Sequence, residues 1–239
     1  MDGSMHNIRV MRNMLINSAS HPISTQPSVG GPIYWIRNIA FNAPGGSTRL
    51  TAGSAGVIYY NNTILTETSG GSSANVHWRN NLLLPQNALP AIFSVNTNTN
   101  YSSSDYNGFG VNPGADYSFQ WNSPAWETAA VDQNPAPKLE QRRYKTLDEY
   151  ARATKQDQHS VVLDYDVFAN VPKLDAKDLS RVQKLYNAKE FDFRLKAESA
   201  AVDRGVAIPN VTDGFSGRAP DLGALEVGQP APIYGPRPE

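Results

Sequence analysis

Short apolar segments separated by polar turns recur through the first half of the chain. Four of them align without gaps: an apolar or aromatic pair precedes Arg or Asn, then Asn, then a second apolar stretch. The aligned asparagines lie 25, 24 and 18 residues apart, and a looser fifth copy begins at Ser104. The four segments are 10–17, 35–42, 59–66 and 77–84, with Asn13, Asn38, Asn62 and Asn80 in the shared column.

A repeat of this length, with short strands and no helical pattern between them, predicts an all-β solenoid. Each coil then adds one strand to each of several parallel sheets, about 4.8 Å above the previous coil. The asparagine column has a structural interpretation, because Asn tolerates the left-handed backbone at sharp corners and stacked Asn side chains bond to one another. Segments 21–31 and 66–74 vary between repeats and are predicted to be projecting loops.

The second half carries the helical signals. Thr146 and Glu149 form a capping-box pattern that predicts a short helix ending near Thr154. The apolar run 161–163 predicts a strand, a second helix is predicted to begin at Asp175, and 191–195 is strand-like. We therefore divide the chain into β-coils (1–115), a loop and helix insertion (116–196), a terminal coil and cap (197–228) and a proline-rich tail that is extended or disordered (229–239).

Charge is low and unevenly distributed. The chain has 239 residues, a formal net charge of −1 and no cysteine. Residues 1–137 hold five arginines, no lysine and six acidic residues, so a nucleic-acid partner is not expected. The sequence contains no run of 18 apolar residues, so no membrane-spanning helix is predicted. The absence of cysteine excludes disulfides and thiolate metal sites.

Two phrases in the second half resemble a known group of proteins. Residues 199–205 (SAAVDRG) and 217–226 (GRAPDLGALE) resemble phrases that close many right-handed parallel β-helix proteins of the pectate-lyase-like superfamily. Residues 31–38 and 104–108 also look like recurrent phrases of bacterial members. The resemblance implies a right-handed parallel β-helix whose C-terminal cap contains one or two short helices.

The resemblance also carries expectations about function. It implies a carbohydrate-active or polysaccharide-binding protein, with glycoside hydrolase or polysaccharide lyase as the enzymatic forms, acting outside the cytoplasm or in the periplasm. A calcium ion is suggested only by this resemblance. No cofactor is evident from the residues, and no metal-ligand pattern is found. Because an export signal and further coils usually precede this region, the chain is expected to be the C-terminal portion of a longer protein that lacks most of the active site.

Candidate chemistry is sparse. Asp105 and Asp116 are the best available carboxylate pair for glycosidic hydrolysis, and His77 is a candidate base. Arg12, Arg37 and Arg79 share one column that is suited to an anionic sugar chain, and Trp78 is a candidate for stacking on a sugar ring. Each also has a structural interpretation: Asp105 as the cap of its own turn, the arginines as a solvated outer row, and His77 and Trp78 as packed side chains.

The sequence therefore leaves the question of enzyme activity open. The leading hypothesis is a polysaccharide or oligosaccharide partner. The alternatives are a non-catalytic surface scaffold or glycan-binding β-helix, and a segment similar to a phage spike.

Overall fold

The structure is a computed structural model that describes residues 6–18, 20–25, 31–43, 47–50, 54–85, 91–126, 138–175, 178–182 and 184–234. It confirms the predicted fold class: the described residues form an all-β parallel solenoid of about four turns, with a single short α-helix among them. Residues 26–30 of the predicted loop at 21–31, the junction at 135–137 and the end of the proline-rich tail lie outside the described residues, and the described part of that loop contains a short strand, Ser24–Thr25.

The strands of successive coils stack in register on three faces. The first face contains β1 (Ile8–Met11), β4 (Ile33–Ile36), β7 (Ser54–Tyr60), the second part of β9 (Glu67–Arg79) and β12 (Ser103–Asp105). The second face contains β2 (Met14–Ile16), β5 (Ile39–Phe41), β8 (Thr63–Ile64), β10 (Leu82–Leu83), β13 (Gly108–Phe109) and β16 (Val161–Val162). The third face contains β3 (Ser24–Thr25), β6 (Ser47–Leu50), the first part of β9, β11 (Phe93–Thr97) and β14 (Phe119–Asn122), with β15 (Arg143–Tyr144) antiparallel at its end.

The third and first faces join through strands that bend at a corner. Gly56 in β7 and Asn75 in β9 lie opposite each other between paired residues, and both have positive φ, at 70° and 51°. Such a corner suits Gly and Asn, which adopt the left-handed region with little strain. The prediction of a projecting loop at 66–74 is therefore wrong: this coil is short, and its chain continues directly as β9.

Aromatic rings from three consecutive coils form the centre of the interior. The rings of Trp35 and Tyr59 are parallel, with centroids 6.5 Å apart, and those of Tyr59 and Trp78 are 3.9 Å apart. The indole nitrogen of Trp35 donates to Thr25 Oγ1 at 2.9 Å. Tyr59 and Trp78 are fully buried, so this stack removes a large apolar area from water in the middle of the solenoid.

A ladder of asparagines runs along the interior corner between the first and second faces. Each Nδ2 donates to the Oδ1 of the next rung at 2.9–3.1 Å, in the order Asn13, Asn38, Asn62, Asn81 and Asn107. Each Oδ1 also accepts the backbone N–H of the rung before it. The ladder ends on the buried Asp157, whose Oδ1 accepts from Asn107 Nδ2 at 3.0 Å.

The fourth rung corrects the predicted column. Asn13, Asn38 and Asn62 are rungs, but Asn81 takes the place predicted for Asn80. Trp78 pairs with Tyr59 rather than with Tyr60, so the fourth coil is shifted by one residue from the gap-free alignment. A slip of one residue would turn Trp78 outward and His77 inward, which burial of the aromatic stack opposes.

The left-handed residues form a neighbouring column and not the ladder itself. They immediately precede the rungs and have φ between 51° and 57°. These residues are Arg12, Arg37, Asn61, Asn80 and Tyr106. The ladder residues are therefore used for side-chain bonding, and the sharp turn is made one position earlier.

The predicted first helix and both later strands are confirmed. Helix α1 (Leu147–Thr154) has the full capping box between Thr146 and Glu149, and it buries Leu147 and Tyr150 against the last coil. Strand β16 extends the second face, and β17 (Phe168–Asn170) pairs antiparallel with β18 (Asp192–Leu195). The prediction of a second helix is wrong for the described part of this segment, where Leu179–Val182 is a 3₁₀ turn; residues 176–177 and 183 lie outside the described ranges. Leu185, one residue of the predicted apolar face, is 94% exposed.

The predicted terminal coil and cap follows the flank of the stack. Its described residues contain turns and bends but no strand. Leu222, Ala224 and Ala201 are buried in a second apolar cluster with Leu82 and Leu84 of the coils. The segment therefore closes the outer side of the second face.

Candidate functional site

Two rows of outward side chains cover the first face. Residues at equivalent positions of adjacent strands lie beside one another, so the rows follow directly from the register. One row is Arg9, Tyr34, Ile58, His77 and Ser103, and the other is Met11, Ile36, Tyr60, Arg79 and Asp105. Arginine and tyrosine side chains therefore lie side by side across several coils.

A groove opens between these rows and the loop at 208–211. Its volume is about 440 Å³, and it is lined by Arg9, Met11, Tyr34, Ile36, Tyr60 and the loop. Tyr34 and Tyr60 are half-buried, and the Arg9 guanidinium lies 5.9 Å from the centre of the Tyr34 ring. Burial raises the pKa of Tyr60, against the opposing effect of Arg79. The groove therefore combines aromatic surfaces with cationic groups.

Arg79 lies beside Tyr60, one of the residues that line this groove. Its Nη1 donates to the Trp78 carbonyl at 2.7 Å and its Nη2 donates to Ser103 Oγ at 2.9 Å. Neither Arg79 nor Arg9 forms an ion pair within the described ranges. Burial, and then the charge of Arg79, lower the pKa of His77, so this histidine favours its neutral form. The positive charge of Arg79 is thus held in place and available to an anion.

Asp105 is engaged by the turn that follows the helix. Its Oδ1 accepts the backbone N–H groups of Tyr106 and His159, at 2.9 and 2.8 Å, and its Oδ2 lies 2.8 Å from His159 Nδ1. The imidazole of His159 also stacks on Tyr106, with centroids 4.6 Å apart. Asp105 therefore anchors the turn at 157–160 to the coil beneath it.

The structure places the two predicted carboxylates in different elements. Asp105 ends a strand of the first face, whereas Asp116 is exposed in the segment that leads to β14 of the third face. A hydrolytic pair needs carboxyl groups about 5–9.5 Å apart across one bond. This arrangement gives no support to the two residues acting as a pair.

Trp78 is not available to a sugar ring. The side chain is 0% exposed and stacks on Tyr59 inside the solenoid, so the prediction of a stacking surface at Trp78 is wrong. The alternation of Val76 and Trp78 with His77 and Arg79 is the signal that identifies the inner positions. The same alternation identifies Tyr34 and Tyr60 as outward aromatics.

The predicted arginine row is divided by the corrected register. Arg12 and Arg37 lie in the left-handed column on the flank, whereas Arg79 lies on the first face beside Tyr60. Arg37 donates to the carbonyls of Val211 and Ala224 at 3.2–3.4 Å, and burial lowers its pKa. Arg37 therefore holds the C-terminal segment, and its donors are not directed at a ligand.

A second cavity lies on this flank. It measures about 320 Å³ and its lining includes Arg12, Arg37 and Arg194 together with Asp213 and Glu226. Arg194 is bonded to Asp192, and Glu226 accepts two backbone N–H groups. The charges of this cavity are largely used by the fold.

The acidic residues of the two recognised phrases serve the fold as well. Asp221 accepts the backbone N–H groups of Asp203 and Val227 at 2.9 and 2.7 Å, and Glu226 accepts those of Ser216 and Asp221 at 3.1 Å. Asp203 accepts those of Arg218 and Ala219. These carboxylates bond the backbone of the turns, so the phrases describe a folded segment and not a reactive cluster.

Comparison with known proteins finds no protein family, no curated protein and no solved structure that matches the chain. The fold defines the class: this is a parallel β-solenoid. Among the helices of the described ranges, none has the length and apolar character needed to cross a bilayer. In the same part of the chain, no three His, Asp or Glu side chains gather as a metal site.

Proposed function

We propose that the chain binds an acidic polysaccharide or oligosaccharide along the first face, as a β-solenoid that resembles the pectate-lyase-like superfamily and acts outside the cytoplasm. The observation that carries this proposal is the pairing of outward, half-buried Tyr34 and Tyr60 with Arg9 and Arg79, which have no carboxylate partner in the described residues. Tyrosine rings offer an apolar face to a sugar, and guanidinium groups bind carboxylates with paired hydrogen bonds.

The spacing of these groups suits an extended polymer. Arg9 belongs to the first coil and Arg79 to the fourth, so three strand spacings, about 14 Å, separate their positions along the solenoid axis. A chain lying parallel to this axis would meet the two tyrosines between the two arginines. The proposal is one of binding, because Asp105 is bonded to the turn at 157–160 and Asp116 is exposed in the segment before β14.

Binding of a soluble acidic glycan such as polygalacturonate, measured by calorimetry at low and high salt, tests the proposal. Arg79→Gln is expected to weaken binding by about 10- to 150-fold, because loss of a charge-assisted hydrogen bond costs about 1.5–3 kcal/mol. Tyr60→Ala is expected to weaken binding of the same glycan by a similar factor.

Arg152→Gln, on an exposed position of α1 away from the groove, is the matched control and should bind as the unmodified chain does. A neutral glucan should bind more weakly, and added salt should reduce binding of the acidic glycan. Equal affinities for Arg79→Gln and Arg152→Gln would contradict the proposal.

A further inference from the structure

We propose that Ser103 is the nucleophile of an acyl-transfer site at the end of the first face, with His77 as its base and an O-acyl ester on a glycan as its substrate class. The identity of the glycan carrier rests on the proposed function, whereas the chemistry of the pair rests on its own geometry. No residue of this site is used by the asparagine ladder or by the docking of the C-terminal segment.

The register of two strands brings the groups together. Ser103 of β12 lies directly opposite His77 of β9, and their Oγ and Nδ1 atoms are 2.9 Å apart. Arg79 Nη2 approaches the same Oγ at 2.9 Å. A hydroxyl within hydrogen-bond distance of an imidazole is the arrangement that activates a serine.

The hydrogen bonds determine where the serine proton lies. A guanidinium has only donors, so Ser103 Oγ accepts from Arg79. Its single proton is then directed to the acceptor that the structure shows beside it, Nδ1 of His77. This requires a neutral imidazole with its proton on Nε2, and burial and then the charge of Arg79 favour the neutral state by lowering the pKa of His77. The pair is therefore polarised in the direction that a nucleophile needs.

The reaction balances with water as the only co-reactant. Ser103 Oγ bonds to the ester carbonyl carbon as its proton moves to His77 Nδ1, and the bond from that carbon to the sugar oxygen then breaks as this proton passes to the sugar. Water attacks the resulting acyl-serine, its proton passes through His77 to Oγ, and a carboxylic acid leaves. Arg79 positions the hydroxyl, and in the proposed reaction its guanidinium also stabilises the negative charge that develops on the carbonyl oxygen.

Another outward serine shows what a purely structural arrangement looks like. Ser94 on β11 is also half-buried, and its Oγ accepts from Gln120 Nε2 at 3.0 Å. The group that bonds to its Oγ is an amide and not an imidazole, so this contact supplies no base for its proton. Ser94 therefore provides a matched serine on the same solenoid.

Labelling of the full chain with a fluorophosphonate probe, followed by peptide mass spectrometry, tests the site directly. We expect one adduct per chain, on Ser103. His77→Gln should slow the labelling at least 100-fold, the lower range for loss of a general base. Ser103→Ala should abolish the adduct, and Ser94→Ala should label as the unmodified chain does.

The outcomes separate this inference from the proposed function. The inference would be overturned if Ser103 were labelled no faster than Ser94, or if folded His77→Gln were labelled at the rate of the unmodified chain. Far-UV circular dichroism checks folding, and His77→Asn, a shorter side chain, replaces His77→Gln if that variant unfolds. Because the probe carries no sugar, labelling does not depend on glycan affinity. A labelled chain that binds no glycan would refute the glycan-ester substrate, whereas Ser103→Ala should still bind acidic glycan if the proposed function holds.

Discussion

Asn62 lies in the middle of the ladder, where its replacement by Ala should be most costly. Its side chain takes part in four hydrogen bonds: Nδ2 donates to the Trp35 carbonyl and to Asn81 Oδ1, and Oδ1 accepts from the backbone N–H and the Nδ2 of Asn38, all at 2.8–3.1 Å. The residue is 0% exposed. At about 1 kcal/mol for each bond, Asn62→Ala should lower the free energy of unfolding by about 4 kcal/mol.

The end of the same ladder provides the control. Asn13 is half-buried, and its side chain donates to Asn38 Oδ1 at 2.9 Å and, at an exposed position, to the Met11 carbonyl. Asn13→Ala should therefore cost only about 1 kcal/mol. The two variants remove the same atoms, so the difference between them measures burial and the number of bonds.

Urea unfolding followed by far-UV circular dichroism measures both costs. With similar slopes, the midpoint of Asn62→Ala should fall well below that of Asn13→Ala. If the two variants unfold within about 0.5 kcal/mol of each other, the ladder does not stabilise the solenoid in the way argued above.

Two further predictions concern the flank and the end of the ladder. Asn80→Gly keeps the left-handed backbone but removes the two hydrogen bonds between the Asn80 side chain and the Val206 backbone, both at 2.8 Å. Trypsin should therefore cleave after Arg218 several-fold faster in Asn80→Gly than in the control variant Asn75→Gly. Equal cleavage rates in the two variants would contradict this prediction. Burial raises the pKa of Asp157, so its carboxylate binds a proton more tightly in the folded state than in the unfolded state. The stability of the fold therefore falls as the pH rises from the pKa of the unfolded state towards that of the folded state. Asp157→Asn should therefore raise the urea midpoint at pH 8 and raise it less at pH 4; the same gain at both values would refute the effect of the buried carboxylate.

Local patterns were sufficient for much of the fold. The spacing of the apolar pairs and of Asn13, Asn38 and Asn62 indicates the solenoid, because each coil must repeat the same interior contacts. The capping box at Thr146 and Glu149 indicates α1, because its hydrogen bonds lie within a few residues of one another. Such features depend on neighbours in the chain and can be recognised without the fold.

Contacts between distant parts of the chain decided the rest. In the fourth coil, two adjacent asparagines permit two alignments, and stacking of Trp78 on Tyr59 selects the one in which Asn81 is the rung. The apolar positions from Leu179 onward suggest a helix, but the surrounding fold leaves Leu185 in solvent.

The order of residues was enough to indicate the repeat, the class of fold and the residue types that are available for chemistry. Which of these residues meet depends on how the coils stack. Ser103 and His77 are 26 residues apart and become neighbours because consecutive coils stack strand on strand. Asp105 and Asp116 are closer in sequence, yet Asp105 ends β12 on the first face and Asp116 lies in the segment that leads to β14. Because the coils stack strand on strand, residues at equivalent positions of consecutive coils lie close together. Which residues are neighbours in this protein therefore follows the register of the strands rather than the order of the residues.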